Sequence, residues 1–151
     1  MLKNMWIEKF KSWKEADVDF SPVTGLFGPN SSGKSSLLQF LLLLKQTKDN
    51  SDRSLALDFG SQTSLTNLGS YSSAIHEHDE TQQMAWRLRW DLPKKIVVSD
   101  PSEKRTSELF TGTQLEIGAR IGLRNKDLFS HYLSYNFDSC RFWTEPKKEG
   151  S

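Results

Sequence analysis

The chain opens with two stretches in which apolar and polar positions alternate. Met5 and Ile7 share one face of Lys3 to Phe10, while Trp6 interrupts the other. Val18 and Phe20 alternate with Asp17 and Asp19. Period two is the signature of a half-buried strand, so both stretches are predicted strands. Ser21-Pro22 makes a turn, and Val23 to Phe27 is then a nearly continuous apolar run. Such a run predicts a short strand covered on both faces, as in a parallel sheet, with Gly25 as its weak point. Gly28 to Ser35 breaks the pattern as a loop. From Ser35 to Gln46, Leu37, Leu38, Phe40 and Leu41 to Leu44 occupy nearly every helical face. That predicts a helix buried on all sides.

The second half changes period. Leu55 to Tyr71 is turn-rich. Met84, Trp86, Leu88, Trp90 and Leu92 then share one face, with Arg87, Arg89 and Asp91 opposite. Pro93 to Gly112 is polar and predicts a long connection with a mobile tip. Leu115 to Leu123 and Leu133 to Phe137 alternate again. Three such strands joined by polar loops predict an antiparallel meander with one face in water. Core packing, not base stacking, is the expected role of Trp86 and Trp90.

Composition narrows the picture by exclusion. The chain has 151 residues, 20 Lys+Arg against 19 Asp+Glu, and a net charge of +1. That length suits one domain. A balance so even gives no electrostatic drive toward nucleic acid or acidic membranes as a whole. One cysteine, Cys140, cannot form an internal disulfide, and a catalytic role for it is not expected. The longest apolar run, Phe40 to Leu44, falls far short of the ~20 residues a membrane helix needs. A soluble, cytoplasmic protein with no membrane partner is the expectation.

One motif names a chemistry. Gly28-Pro29-Asn30-Ser31-Ser32-Gly33-Lys34-Ser35 fits G-x-x-x-x-G-K-[ST] without a mismatch. The two glycines allow backbone angles that turn N–H groups inward around phosphate oxygens. Lys34 brings a compact positive charge to the β- and γ-phosphates, and the Ser35 hydroxyl is placed to ligate Mg²⁺. The helix that follows aims its positive end at the same phosphates. ATP and Mg²⁺ are the expected ligands, held by Gly28, Pro29, Asn30, Ser31, Ser32, Gly33, Lys34, Ser35 and Ser36.

Lys9-Phe10-Lys11-Ser12-Trp13, then Phe20, then Leu26 to Gln39 resemble the N-terminus of ABC-type ATPase heads of the SMC/RecF/OLD-like AAA kind. The specific part of the resemblance covers residues 1 to 47; Lys9 stands where Asn is usual. It implies an α/β fold, a P-loop NTPase lobe (1–53) with a flanking antiparallel β-subdomain (54–151). It also implies that Lys11 lies near the nucleotide, and that two heads form a homodimer around ATP. Hydrolysis is expected in a complete head, coupled to DNA repair or phage defence, with DNA or an effector protein as a further partner.

Other elements of such heads have no clear match. Ile96-Val97-Val98-Ser99-Asp100 is the nearest segment to a Walker B strand, but Pro101 follows it and no Glu does. No signature loop stands out, and either Gln82 or Gln83 could serve as the Q-loop glutamine. A binding module without turnover therefore stays open as a rival. A P-loop kinase or GTPase is a weaker one, since Asn125-Lys126-Asp127 lacks the spacing of a base-reading motif. His76-Glu77-His78-Asp79-Glu80 gathers metal-ligand types, yet a solvated acidic turn is the plainer expectation. Arg87, Arg89, Arg120 and Arg124, interleaved with Asp91 and Glu116, read as an ordinary solvated face in preference to a DNA-facing one.

Overall fold

The computed structural model describes residues 1–52, 55–99, 108–138 and 140–146. Six strands form one sheet: β1 (Leu2–Phe10), β2 (Trp13–Asp19), β3 (Met84–Ser99), β4 (Glu108–Arg124), β5 (Asp127–Phe137) and β6 (Cys140–Thr144). Their order is β2-β1-β3-β4-β5-β6, and every pairing is antiparallel. The predicted meander is present, and the opening strands β1 and β2 extend the same sheet. One long helix, α1 (Lys34–Asp49), covers an inner face, and a short helix α2 (Tyr71–Ala74) leads into a 3₁₀ turn at His76–His78. This is the P-loop lobe with an antiparallel β-layer that the sequence predicts.

Alternation decides which side chains fill the core. Met5 and Ile7 of β1, Met84, Trp86 and Leu88 of β3, and Ala119 and Ile121 of β4 are buried in one cluster with Leu37, Phe40 and Leu43 of α1. Phe40 sits at its centre, edge-on to Phe10 at 5.1 Å and to Trp86 at 5.7 Å. Fully burying such a ring contributes about 1.5–3 kcal/mol. Trp86 and Trp90 both serve packing, as expected. A satellite of Phe110, Phe137 and Phe142 gathers on β4, β5 and β6.

Gln46 is the polar member of the α1 stripe and is buried. Its amide donates to the Asp58 carbonyl at 2.6 Å and its carbonyl accepts from the Thr66 N–H at 3.0 Å. The turn-rich segment before α2 is thereby fastened to the helix, and Leu57 and Leu68 reach the core.

Three expectations are corrected. Val23 to Phe27 is not a strand: Val23 is 90% and Phe27 95% exposed. A strand needs a neighbour to satisfy its backbone, and none among the described residues pairs with it. Thr24 instead turns back on Ser21, whose N–H donates to the Thr24 hydroxyl at 2.9 Å. Helix α1 is not buried all round either, since Leu38 is 57% and Leu42 37% exposed. Only its stripe at Leu37, Phe40, Leu43 and Gln46 meets the sheet and the loop. Finally, much of Pro93 to Gly112 is strand, because β3 runs to Ser99 and β4 starts at Glu108. The register shifts between Asp91 and Ile96, around a proline that has no N–H to give the ladder, and Ile96–Val98 then pair with Phe110–Gly112. The expected mobile tip lies mostly outside the described residues. So does Asp100; the rest of the Walker B look-alike is this hairpin. Strand β6 is an addition that the sequence pattern did not announce.

Candidate nucleotide site

The loop between Phe27 and α1 takes its shape from residues in the left-handed region. Gly28 has φ +148° and Gly33 +87°, conformations that strain any side chain. Ser31, at φ 65°, adopts one without being glycine, at a cost of about 1–3 kcal/mol. Gly33 is also a close-packing point. A Cβ there would lie 2.5 Å from the Ser12 Oγ and 2.5 Å from the Trp13 Nε1. The Trp13 indole donates to the Gly33 carbonyl at 3.0 Å, so the loop is anchored to the start of β2.

Gly33 precedes α1 with no side-chain cap, and the amides of Lys34 and Ser35 meet no acceptor among the described residues. Open amides at a helix N-terminus, with the helix dipole behind them, form an anion site. The Lys34 ammonium lies within the loop and donates to the carbonyls of Gly28 at 2.9 Å and Pro29 at 2.6 Å, with Ser32 Oγ at 3.4 Å. It has carbonyl and hydroxyl partners and no carboxylate. An incoming phosphate oxygen would be a stronger, charge-assisted partner for that ammonium.

A cleft of about 590 Å³ opens beside this loop. Asn30, Ser31, Gly33, Lys34, Ser35 and Ser36 line one side, and Lys11 and Ser12, at the β1–β2 bend, line another. Gly28, Pro29 and Ser32 instead border a smaller hollow of about 370 Å³, with Phe27 and Leu37. Lys11 has φ 50° and donates to the Gln39 side chain of α1 at 2.7 Å. Partial burial lowers its pKa from the ordinary lysine value.

The third wall was not legible in the sequence. Ser73, Ile75, Glu77 and His78, from α2 and the 3₁₀ turn, face the same cleft. They arrive there because Phe10 bridges to Ile75, the Lys11 N–H donates to the Ala74 carbonyl at 2.7 Å, and His76 Nδ1 donates to the Lys11 carbonyl at 2.7 Å. A histidine pair spaced i, i+2 gave the only hint of this turn. Its metal reading finds no support: no cluster of metal-ligating side chains occurs among the described residues.

The other candidates lie elsewhere. The Gln82 amide donates to Asp79 at 2.8 Å, and neither Gln82 nor Gln83 lines the cleft. Arg87 stacks over Trp6 at 4.9 Å and Arg120 approaches Glu8 at 3.5 Å, near the sheet hollow bordered by Trp6 and Tyr132. Arg124 stacks over Phe129 at 5.4 Å. Cys140 is a free, partly buried thiol. No helix among the described residues is long and apolar enough to cross a membrane.

Comparison with known proteins bears on the family of the chain. The family described as AAA ATPase domain matches residues 1–144. A protein of Lactobacillus gasseri named DNA replication and repair protein RecF is 40% identical over 133 residues, covering 85% of this chain and 31% of its own. A protein of the same name from Lachnoclostridium phytofermentans is 25% identical over 114 residues, covering 73% of this chain and 30% of its own. The chain thus spans about a third of the length of these relatives. A solved structure reported under ATP-driven dimerization and DNA-stimulated activation of SMC ATPases aligns over 93% of this chain and 71% of its own, at 18% identity and a TM-score of 0.44. With a P-loop between the first strands and a buried-faced helix, and a family match along nearly its whole length, the chain belongs to the AAA ATPase domain family.

Proposed function

We propose that this chain binds ATP·Mg²⁺ in the 590 Å³ cleft beside the P-loop. The observation that carries the reading is the set of donors converging there: the open amides of Lys34 and Ser35 at the start of α1, and the Lys34 ammonium held only by carbonyls and a hydroxyl. Such a set fits a polyphosphate and nothing apolar. The loop amides and Lys34 hold the β- and γ-phosphates, Lys11 adds a second cation at the cleft's edge, and the Ser35 hydroxyl is the metal ligand. Bound Mg²⁺ neutralises phosphate charge and fixes the phosphate geometry. The chain's own residues bind, orient and stabilise charge. Phosphoryl transfer to water rests mainly on such positioning.

Hydrolysis is assigned to a complete head, with two heads forming a homodimer around the nucleotide. DNA repair is the cellular role suggested by the relatives' name, with phage defence as the alternative and DNA or an effector protein as the partner. The outer sheet face suits a polyanion in part. Arg87 and Arg89 stand on adjacent cross-strand rows, Trp6–Arg87–Gly118–Ser134–Trp143 and Asn4–Arg89–Glu116–Asn136–Arg141. A second reading, binding without turnover by this chain alone, is favoured by one observation. Glu77 is the one carboxylate lining the cleft among the described residues, and its side chain is 73% exposed.

The test is ATP titration of Lys34→Ala by calorimetry. The ammonium serves every phosphate geometry, so the variant loses measurable binding while its folded far-UV spectrum is retained. Unchanged ATP affinity would overturn the assignment of the site.

A further inference from the structure

The sheet has two edges, and they are built from opposite chemistry. Strand β2 ends one side and exposes Lys14, Glu15, Asp17 and Asp19 along its length. Charges of that kind protect a sheet edge from pairing with another chain. Strand β6 ends the other side, and no described strand pairs with its outer edge. It lacks that protection. Arg141, Phe142, Trp143 and Thr144 are exposed in succession, Phe142 at 47% and Trp143 at 63%. The strand is held from behind: Phe142 packs on Phe110 at 5.2 Å and on Phe137 at 6.5 Å, and Arg141 donates to the Tyr132 hydroxyl. A fixed edge with open backbone groups and two aromatic rings in water is a template for another strand.

The run Arg141-Phe142-Trp143-Thr144-Glu145 points to what that strand is. Arg141 and Trp143 sit on the outer face, opposite Asn136 and Ser134, and period two carries the exposed Glu145 to the same side. Turned antiparallel against itself about Trp143, this row is its own complement. Arg141 of each copy meets the partner's Glu145, and the two Trp143 rings meet at the axis. Opposite charges and paired aromatics across strands both stabilise such a ladder. A register that set Arg141 against Arg141 would oppose like charges. Pairing with the β2 edge of a second copy would instead set Trp143 among carboxylates, in a head-to-tail contact that does not close. Strand β6 lines no part of the nucleotide cleft, so this edge is separate from any pairing of heads around ATP.

We propose that β6 is a self-association strand: two copies of the chain join edge to edge, antiparallel about Trp143, and their sheets become one. Sedimentation equilibrium without nucleotide tests this, and the wild-type chain shows a monomer–dimer equilibrium. Trp143→Glu weakens the dimer at least about tenfold. Arg141→Glu alone and Glu145→Arg alone do the same, because each sets like charges opposite one another. Mixing those two variants restores a dimer, since every cross-strand charge pair is then one Glu and one Arg. The substituted side chains are exposed, so far-UV spectra stay unchanged. Lys34→Ala dimerises as the wild type does. A wild-type chain that stays monomeric without nucleotide would sink the proposal, as would single variants that dimerise normally or a mixture that stays monomeric. Growth beyond two copies would count against it in favour of the β2 edge. Dimers that form only with ATP and vanish in Lys34→Ala would also refute it, while leaving the nucleotide-bound homodimer standing.

Discussion

Gly33→Ala tests the local geometry most directly, because two independent penalties meet at one atom. The first is conformational: φ +87° in a residue with a Cβ costs about 1–2 kcal/mol. The second is steric. The new Cβ would stand 2.5 Å from Trp13 Nε1 and 2.9 Å from its Cε2, atoms of a rigid ring that cannot simply rotate aside. Overpacking of that kind costs about 1–3 kcal/mol. Together they predict a loss of about 2–5 kcal/mol, or a fall of about 1–2 M in the urea midpoint for an ordinary slope. The five tryptophans supply the fluorescence signal. A double-mutant cycle separates the two parts. Trp13→Ala deletes the clashing ring, so the pair Gly33→Ala/Trp13→Ala is more stable than the sum of the single changes by about 1–2 kcal/mol. The conformational share remains in the double variant. An additive cycle, or an unchanged midpoint in Gly33→Ala, would refute the claim that this glycine is required by the packing of the loop on β2.

Two other outcomes are expected. Gln46→Ala leaves the Thr66 N–H buried without its acceptor, so it costs about 1–3 kcal/mol, and hydrogen exchange at the Thr66 amide accelerates. Asp49 donates no proton to its neighbours at neutral pH. Hydrogen bonds from Lys45 and Lys48 pull its carboxyl down to about 2, against the ordinary 3.8. A depressed folded value stabilises the fold above the unfolded pKa, and that contribution disappears as pH falls through about 2. A carboxyl NMR titration reads it directly, and Lys45→Met shifts the midpoint back toward the ordinary value.

What the chain reveals on its own follows from which forces are local. Alternation placed Met5, Ile7, Trp86, Leu88 and Ile121 inside, because in a sheet one face is enough to specify burial. The loop's two glycines were legible as turn positions, since the positive φ at Gly28 and Gly33 is a local demand, whereas nothing in the sequence signalled that Gly28, Pro29 and Ser32 border a different hollow from the rest of the loop. Val23 to Phe27 failed for the opposite reason. An apolar run fixes a preference for burial but supplies no neighbouring strand. Leu38 and Leu42 likewise carry no sign of which helix face the sheet will reach. The Glu77–His78 wall was hidden because its placement depends on bonds reaching from Lys11 to Ala74 and His76, across more than sixty positions of sequence. The β3–β4 hairpin was obscured by a proline and by polar residues that edge regions tolerate.

The bend between β1 and β2 joins more than two strands. Within three residues it holds the loop through Trp13, the helix through Lys11 and Gln39, and the opposite turn through the Lys11 backbone. All sides of the cleft are therefore bolted to one corner of the sheet. A ligand entering it cannot draw the walls together as a hinged lid would, because they share a single rigid mount. Its arrival must instead be registered where freedom remains: in the Lys34 ammonium giving up its carbonyls, and in the open amides of the first turn of α1.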